Sequence, residues 1–213
     1  MEEAPQKVEV TAVNLPKMNK NTKKYVAIAI TAVLILIIAL FAGSKIKEQK
    51  LAKEAAERSE NYADTLETAS FSMLLGAIEA EEAGNLIKSV WYNAIYEERD
   101  SKTDKYTRPK GWWVDDFNEA LSNLFSDSSF KSKISSIESN QELVKGLMKD
   151  LKNPPAEHED AYDAIKELYD AYTALTNLAT NPSGSLTTFS QNFNEADTKV
   201  ANCYDAMKLY IDD

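Results

Sequence analysis

Apolar residues recur at alternating steps of three and four along most of this chain, which is the period of an amphipathic α-helix. One such stripe covers residues 62–94, an interrupted one covers 113–151, and two more cover 161–179 and 186–210. No stretch alternates apolar and polar residues as a β-strand does. The pattern predicts an all-α fold in which four amphipathic segments pack as an antiparallel, up-down four-helix bundle.

Residues that disfavour helix separate the four stripes. Pro109 and Gly111 follow the first stripe, Asn153 precedes two prolines after the second, and Asn181 begins a Pro-Ser-Gly-Ser sequence after the third. Proline disfavours the α conformation of the residue before it, and glycine and serine suit turns and helix caps. Short connections of this kind place consecutive helices side by side in opposite directions.

Two of the stripes indicate how they pack. Small residues occupy the middle of the first stripe, which predicts that another helix comes close to its backbone there: Ala77, Ala80 and Gly84. The last stripe keeps strict steps of three and four from Leu186 to Tyr210. Such regularity is typical of a coiled-coil seam.

A different pattern precedes the bundle. Residues 25–44 form an uncharged, mostly apolar run between Lys24 and Lys45. As a helix, this run would rise about 30 Å, the thickness of the hydrocarbon core of a bilayer. It predicts a single transmembrane helix. Because the apolar region of a cleaved signal peptide is shorter, the run is interpreted as an uncleaved signal anchor.

These patterns divide the chain into four predicted regions. Residues 1–24 form a disordered cytoplasmic tail with a basic end, and residues 25–44 form the transmembrane helix. Residues 45–61 carry opposite charges at helical spacing and form a helical stalk, while residues 62–213 form the bundle. The basic tail and the length of the following domain favour a cytoplasmic N-terminus and an extracytoplasmic bundle. The predicted location is the cell membrane, as a single-pass protein of the bacterial cell envelope.

Net charge excludes one class of partner. The chain carries a formal net charge of −10, and its basic N-terminal tail makes the remainder more acidic still. A domain this acidic repels the phosphates of nucleic acid, so we expect no nucleic-acid partner. The expected partners are the lipid bilayer through residues 25–44 and a protein at the envelope or cell surface. Ala39 and Gly43 are small residues four apart, which would let two copies associate as a homo-oligomer.

No motif supplies the chemistry of an enzyme. A di-iron helical bundle needs two Glu-x-x-His pairs, but His158 is the only histidine of the chain. Cys203, the only cysteine, lies on the seam of the last stripe and is expected to be a packing thiol. We therefore expect no catalytic residue, no metal and no cofactor, and a protein that is not an enzyme.

One segment is not explained by helix packing. Residues 106–113, the sequence YTRPKGWW, are called the tip here. Neighbouring residues on a helix point about 100° apart, so Trp112 and Trp113 cannot both face one core. We place Trp113 in the core. Tryptophan, tyrosine and arginine dominate binding hot spots, and the tip is basic on an acidic domain. The predicted partner-binding residues are Tyr106, Arg108, Lys110 and Trp112.

Two functional hypotheses follow. The first is a membrane-anchored, non-enzymatic binding or scaffold protein that presents a helical bundle outside the cytoplasm. The second is a ligand-sensing ectodomain that signals through a partner membrane protein. The predicted architecture resembles, in outline, the membrane-anchored four-helix sensor domains of bacterial receptors. A dry, close-packed core would favour the first hypothesis, and a pocket lined by tyrosines would favour the second.

Overall fold

The computed structural model describes the backbone of residues 20–211 and the side chains of residues 47–211. The predicted disordered tail falls mainly on residues 1–19, which lie outside this range, as do the side chains of the apolar run at 25–44. The chain divides into two units, Met1–Ala55 and Ala56–Asp213. The packing contacts given below all lie within the second unit.

Between residues 20 and 211 the regular secondary structure is entirely helical, which confirms the all-α prediction. The predicted stalk, residues 45–61, lies within the first helix. The helices are α1 (Lys20–Tyr96), α2 (Asp104–Thr107), α3 (Phe117–Ser126), α4 (Ser128–Asp150), α5 (Glu159–Thr180) and α6 (Leu186–Ile211), and a 3-10 turn, Ala156–His158, precedes α5.

The predicted membrane location is corrected by the structure. Across the residues whose side chains are described, no helix contains a stretch long and apolar enough to cross a bilayer. The helices there are amphipathic and carry charged residues at short intervals. The apolar run at 25–44, on which the transmembrane helix and the bilayer contact rested, lies outside those residues. A single-pass location in the cell membrane therefore has no support from the structure.

The stripe predicted for the first bundle helix forms one side of the core. From Tyr62 to Trp91 every third or fourth residue of α1 is buried, and only Ala94 at the end of the stripe is half-buried. The hydroxyl of Tyr62 donates to the carbonyl oxygen of Leu151 at 2.9 Å, just beyond the end of α4. At the other end of the stripe, the Trp91 ring stacks on Phe117 with centroids 5.3 Å apart.

The interruption predicted in the second stripe is a helix break at Asp127. This residue has an extended conformation between α3 and α4, and its carboxylate accepts the amides of Ser129 and Phe130 at the start of α4. Hydrogen bonds from Ser129, from Lys105 and from the amide of Phe130 hold the pKa of this carboxyl far below its usual range. The cap therefore stays ionised, in the form that accepts these hydrogen bonds.

The start of the second bundle segment differs from the prediction. The stripe was expected to begin on a helix at Trp113, but α3 begins at Phe117. Asp116 caps it by accepting the amide of Glu119 at 3.0 Å. Trp113 precedes this cap, is not helical and is half-buried, so its placement in the core was wrong.

Alkaline pH should weaken the contact between Tyr62 and Leu151. Burial, with a smaller contribution from Tyr162, raises the pKa of Tyr62 to about 12 from the ordinary value of 10.0. The folded pKa is the higher one, so the stabilisation is complete below about pH 10 and is lost as the pH approaches 12. We expect Tyr62→Phe to be less stable than the wild type by about 1 kcal/mol at neutral pH. The difference should shrink between about pH 10 and pH 12.

Urea denaturation of both proteins across this pH range measures the difference. Tyr210→Phe, which changes an exposed tyrosine of α6, is the matched control for the loss of a tyrosine hydroxyl. A Tyr62→Phe difference that does not change as the pH approaches 12 would contradict the assignment.

Candidate functional site

The tip begins with a buried residue. Tyr106 lies in α2, is 4% exposed and belongs to the hydrophobic core. Its carbonyl oxygen accepts a hydrogen bond from the side chain of Asn123 in α3 at 2.9 Å, and the Lys105 amine lies over its ring at 4.6 Å. Tyr106 therefore anchors the tip to the domain, and its ring is not available to a partner.

A tight turn fixes the middle of the tip. The amide of Gly111 donates to the carbonyl oxygen of Arg108 at 2.9 Å, and the amide of Val114 donates to that of Thr107 at 2.9 Å. Gly111 has a φ of 89°, a conformation that other residues rarely adopt. A Cβ atom at this position would meet no other atom within 4 Å, so the glycine is needed for its backbone conformation.

Arg108 makes its contacts inside the tip. Its Nη2 atom donates to the carbonyl oxygen of Gly111 at 2.6 Å, and Nη1 lies 3.6 Å from a carboxylate oxygen of Asp104. The guanidinium also lies over the ring of Trp113 at 5.2 Å. The Arg108 side chain is only 19% exposed, and its buried Nε atom has no hydrogen-bond partner in the part of the chain whose side chains are described. Arg108 therefore holds the tip together and is poorly placed to bind a partner directly.

Of the four predicted binding residues, Trp112 and Lys110 are accessible. Trp112 is 68% exposed, and its ring makes no aromatic or cation–π contact with any residue in the part of the chain whose side chains are described. Lys110 is exposed beside it. A small depression of about 110 Å³ adjoins both residues, and Trp113 and Glu119 also line it. The structure thus brings together two of the predicted residues, on a loop that the other two hold in shape.

A second concave surface was missed by the sequence analysis. A groove of about 580 Å³ lies between the C-terminal part of α1 and the start of α6 and is called the α1–α6 groove here. Its lining includes Lys88, Tyr92, Tyr96, Asp100, Thr187 and Ser190. The steps of four between Lys88, Tyr92 and Tyr96 place these residues on one helical face, a regularity that was present in the sequence.

The charged residues of the groove are held in place. The Lys88 amine donates to the Asn194 side chain at 2.9 Å and lies 4.9 Å from the centre of the Phe193 ring. Burial lowers the pKa of Lys88, while the charges of Asp197 and Glu81 oppose this shift.

Asp100 is fixed by its neighbours in the chain. Its carboxylate accepts the amide of Lys102 at 2.9 Å, and its own amide donates to the Asp104 carboxylate at 3.2 Å. The side chains of Asn93 and Thr103 are joined by a hydrogen bond of 2.9 Å, which ties this turn to α1.

The residues considered for catalysis or metal binding have structural contacts. His158 lies 2.9 Å from the Ser59 hydroxyl through Nε2 and stacks on the Tyr62 ring. No cluster of three metal-ligating side chains occurs in the described part of the chain. Cys203 is half-buried, and burial raises the pKa of its thiol, with Glu167 adding to the shift and Lys199 opposing it. A raised pKa disfavours the thiolate that nucleophilic catalysis needs.

Comparison with known proteins gives no functional indication. No protein-family model matches the chain, and neither a curated protein nor a solved structure resembles it at a significant level.

Proposed function

We propose that this protein is a non-enzymatic binding module whose tip contacts a protein partner through Trp112 and Lys110. The observation that carries the proposal is the 68% exposure of Trp112 on a loop whose conformation is fixed by hydrogen bonds. A large apolar ring exposed on a rigid loop is available for burial against another surface.

The energetics favour recognition by the indole. A tryptophan side chain can bury about 150–250 Å² of surface. Each Å² of apolar surface removed from water contributes about 25 cal/mol of free energy. Trp112 is therefore the residue of the tip whose burial would contribute most to binding. The tip is already ordered by Gly111 and Arg108, so binding would cost little additional conformational entropy. Tryptophan is also the residue type most enriched at binding hot spots.

Charge contributes less than the sequence predicted. Arg108 lies within 3.6 Å of the Asp104 carboxylate, and Lys105 pairs with Asp127 at 3.0 Å. These pairs neutralise Arg108 of the tip and Lys105 just before it, which leaves Lys110 as the accessible cation of the tip. The surface that best complements this arrangement has an apolar pocket for the indole and an acidic or carbonyl group near Lys110.

The proposed function includes a proposed topology. We propose that α1, α3–α4, α5 and α6 form an antiparallel, up-down four-helix bundle that presents the tip at one end. Support comes from contacts of α1 that run in opposite order along the two chain segments. Tyr62 of α1 contacts Leu151, which follows the end of α4. Trp91, later in α1, contacts Phe117 at the start of α3. The later residue of α1 thus contacts the earlier residue of the second segment.

Contacts of α6 with α1 show the same reversal. The ring of Phe193 lies against Gly84, and the ring of Phe189 lies 5.8 Å from that of Trp91.

The predicted homo-oligomer and the boundaries of the predicted stalk remain predictions.

The alternative hypothesis, a ligand sensor that signals through a partner, also remains a prediction. A sensor requires a pocket and an output, and the α1–α6 groove could serve only as the pocket. The tip carries the proposed function because the Trp112 ring is exposed and makes no aromatic or cation–π contact with any residue whose side chain is described.

The test uses a photoreactive cross-linker attached at position 110 in cells that produce the protein. Once the captured partner is identified and purified, its affinity is measured for the wild type and for Trp112→Ala. We expect the substitution to weaken binding by at least about 1–2 kcal/mol. The free energy of unfolding should change by no more than about 0.5 kcal/mol, because Trp112 contributes little to the packed domain.

The matched control is Tyr210→Ala, which removes an exposed aromatic ring from α6 far along the chain from the tip. It should leave partner affinity unchanged. Equal affinity of Trp112→Ala and the wild type, or unfolding of Trp112→Ala, would show that the tip is a structural loop.

A further inference from the structure

The side of α1 that points away from the core carries a stripe of exposed apolar residues. Phe71, Leu75 and Ile78 are 54%, 47% and 46% exposed. Their steps of four and three place them within about 60° of one another around the helix, and the buried Met73 and Ala80 lie on the opposite side. A surface helix normally presents polar residues to solvent. The three exposed residues are called the outer α1 face here.

The neighbouring helices pack beside α1 without covering this face. The side chain of Asn140 in α4 donates to the carbonyl oxygen of Ser72 at 3.1 Å. The Phe193 ring of α6 lies against Gly84. Neither contact involves the three apolar side chains of the outer α1 face. A contiguous exposed apolar surface of this kind is typical of a protein-binding site.

The charges around the outer α1 face are all of one sign along the helix. Residues 59–87 of α1 include six acidic residues and neither lysine nor arginine: Glu60, Asp64, Glu67, Glu79, Glu81 and Glu82. Glu67 precedes Phe71 by four residues, and Glu82 follows Ile78 by four. On a helix, residues four apart lie on the same face. Carboxylates therefore border the apolar stripe at both of its ends.

Most of these carboxylates have no basic partner. Glu82 pairs with Lys133 of α4, and Glu81 interacts with the charge of Lys88. Within residues 47–211, neither a lysine nor an arginine forms an ion pair with the other four: Glu60, Asp64, Glu67 and Glu79. The charge that complements this surface is positive.

The same charges disfavour a second copy of the chain as the occupant. In a parallel pair, Glu67 would face Glu67 of the other copy, and in an antiparallel pair it would face Glu82. Either arrangement places like charges opposite each other at both ends of the stripe, which is unfavourable. An anionic lipid surface is repelled for the same reason.

We propose that the outer α1 face binds a basic amphipathic helix of a protein partner. Leucine-like side chains of that helix pack between Phe71, Leu75 and Ile78, whose steps of four and three form the ridge that a second helix can pack against. Lysine or arginine residues on either side of its apolar face lie near the carboxylates at the two ends. This surface is separate from the tip and goes beyond the contact proposed for Trp112 and Lys110.

The test measures the binding of labelled helical peptides to the full chain by fluorescence anisotropy. The probe is a peptide of about 18 residues with leucines on one helical face and lysines on the other. We expect saturable binding with a dissociation constant of about 100 µM or below. Replacing the lysines by glutamates should weaken binding at least about tenfold. A peptide of the original composition with its leucines scattered around the helix should also bind at least about tenfold more weakly.

Variants assign the binding to the outer α1 face. Replacing Phe71, Leu75 and Ile78 together by alanine removes the apolar surface and keeps a high helix propensity. This variant should bind the lysine peptide at least about tenfold more weakly and retain the circular dichroism spectrum of the wild type. Leu209→Ala, which removes an exposed leucine of α6, is the matched control and should bind as the wild type. If the triple variant does not fold, Leu75→Gln alone should weaken binding at least about threefold.

Trp112→Ala separates this surface from the tip. It should bind the lysine peptide as tightly as the wild type, so a failure of recognition at the tip leaves this result unchanged.

Three results would overturn the proposal. The first is equal binding of the lysine peptide by the wild type and by a folded triple variant. The second is equal binding of the lysine and glutamate peptides, because charge would then not select the occupant. The third is a dimer of the wild type, measured by sedimentation, that the triple variant does not form, because the outer α1 face would then bind a second copy.

Discussion

Replacing Phe193 by alanine is expected to lower the free energy of unfolding by about 3–5 kcal/mol. The Phe193 ring is 1% exposed and lies 5.7 Å from that of Phe189, both on α6. It also fills the space beside Gly84 of α1, where a Cβ atom would lie only 2.1 Å from the ring. Removal of this ring leaves a cavity between two helices that cannot fully collapse. Urea denaturation followed by circular dichroism measures the loss.

The contact between Phe193 and Gly84 makes a second substitution informative. Gly84→Ala alone should lower the free energy of unfolding by about 1–3 kcal/mol, because the ring must move to admit the methyl group. Alanine is intrinsically better than glycine in a helix by about 1 kcal/mol, so the measured loss is the clash minus this gain. In the Phe193→Ala background the methyl group has room, and Gly84→Ala should become neutral or stabilising. The double-mutant cycle therefore reports the contact itself.

Gly146→Ala in α4 is the matched control for the glycine. A Cβ atom at Gly146 meets nothing within 4 Å, so only the helix propensity changes. We expect Gly146→Ala to raise the free energy of unfolding by about 0.5–1 kcal/mol. If Gly84→Ala stabilises the wild type to the same extent, α1 and α6 are further apart than described.

The close approach at Gly84 shows how far periodicity can be taken. The stripe on α1 predicted which face is buried, and its small residues predicted a close neighbour. The sequence could not show that the neighbour would be the side chain of Phe193 rather than another backbone, because periodicity does not fix the register between helices separated by about a hundred residues. At Gly76 a Cβ atom would similarly meet the side chains of Asn140 and Tyr172.

The tip was located from the sequence, but the roles of its residues were not. An excess of aromatic residues marked the segment, and Trp112 is exposed in the structure. Its role in binding stays a prediction. The burial of Tyr106 depends on the one-turn helix α2, which is too short to leave a periodic pattern. The inward position of Arg108 depends on its contacts with Asp104 and Gly111, which exist only once the turn has formed.

The α1–α6 groove was missed for a different reason. Its residues lie on the polar face of α1 and at the start of α6, and a polar face in a sequence indicates only which side of a helix is exposed to solvent. Lys88 and Ser190 are distant in the sequence, so their proximity depends on how two helices pack. The tyrosines at steps of four were visible, but exposed aromatic residues on one helix do not by themselves define a cavity.

The three tryptophans should differ sharply in what they contribute to stability. Trp91 is 3% exposed, and its ring lies 5.3 Å from Phe117 and 5.8 Å from Phe189. Trp91→Ala should lower the free energy of unfolding by about 3–5 kcal/mol. Trp113 is half-buried under Arg108, so Trp113→Ala should cost only about 1 kcal/mol. Trp112→Ala should change stability least.

Trp91→Phe separates the packing of the ring from its polar atom. The Nε1 atom of Trp91 is buried and has no hydrogen-bond partner among residues 47–211. Phenylalanine therefore removes an unsatisfied donor while keeping an aromatic ring beside Phe117. We expect this variant to lose less than about 1.5 kcal/mol, well below the loss for alanine. Urea denaturation of the four variants gives the order. If Trp113→Ala is as destabilising as Trp91→Ala, the tip is part of the cooperatively folded core. That result would contradict the proposal that the tip is a loop outside the core, free to present Trp112 to a partner.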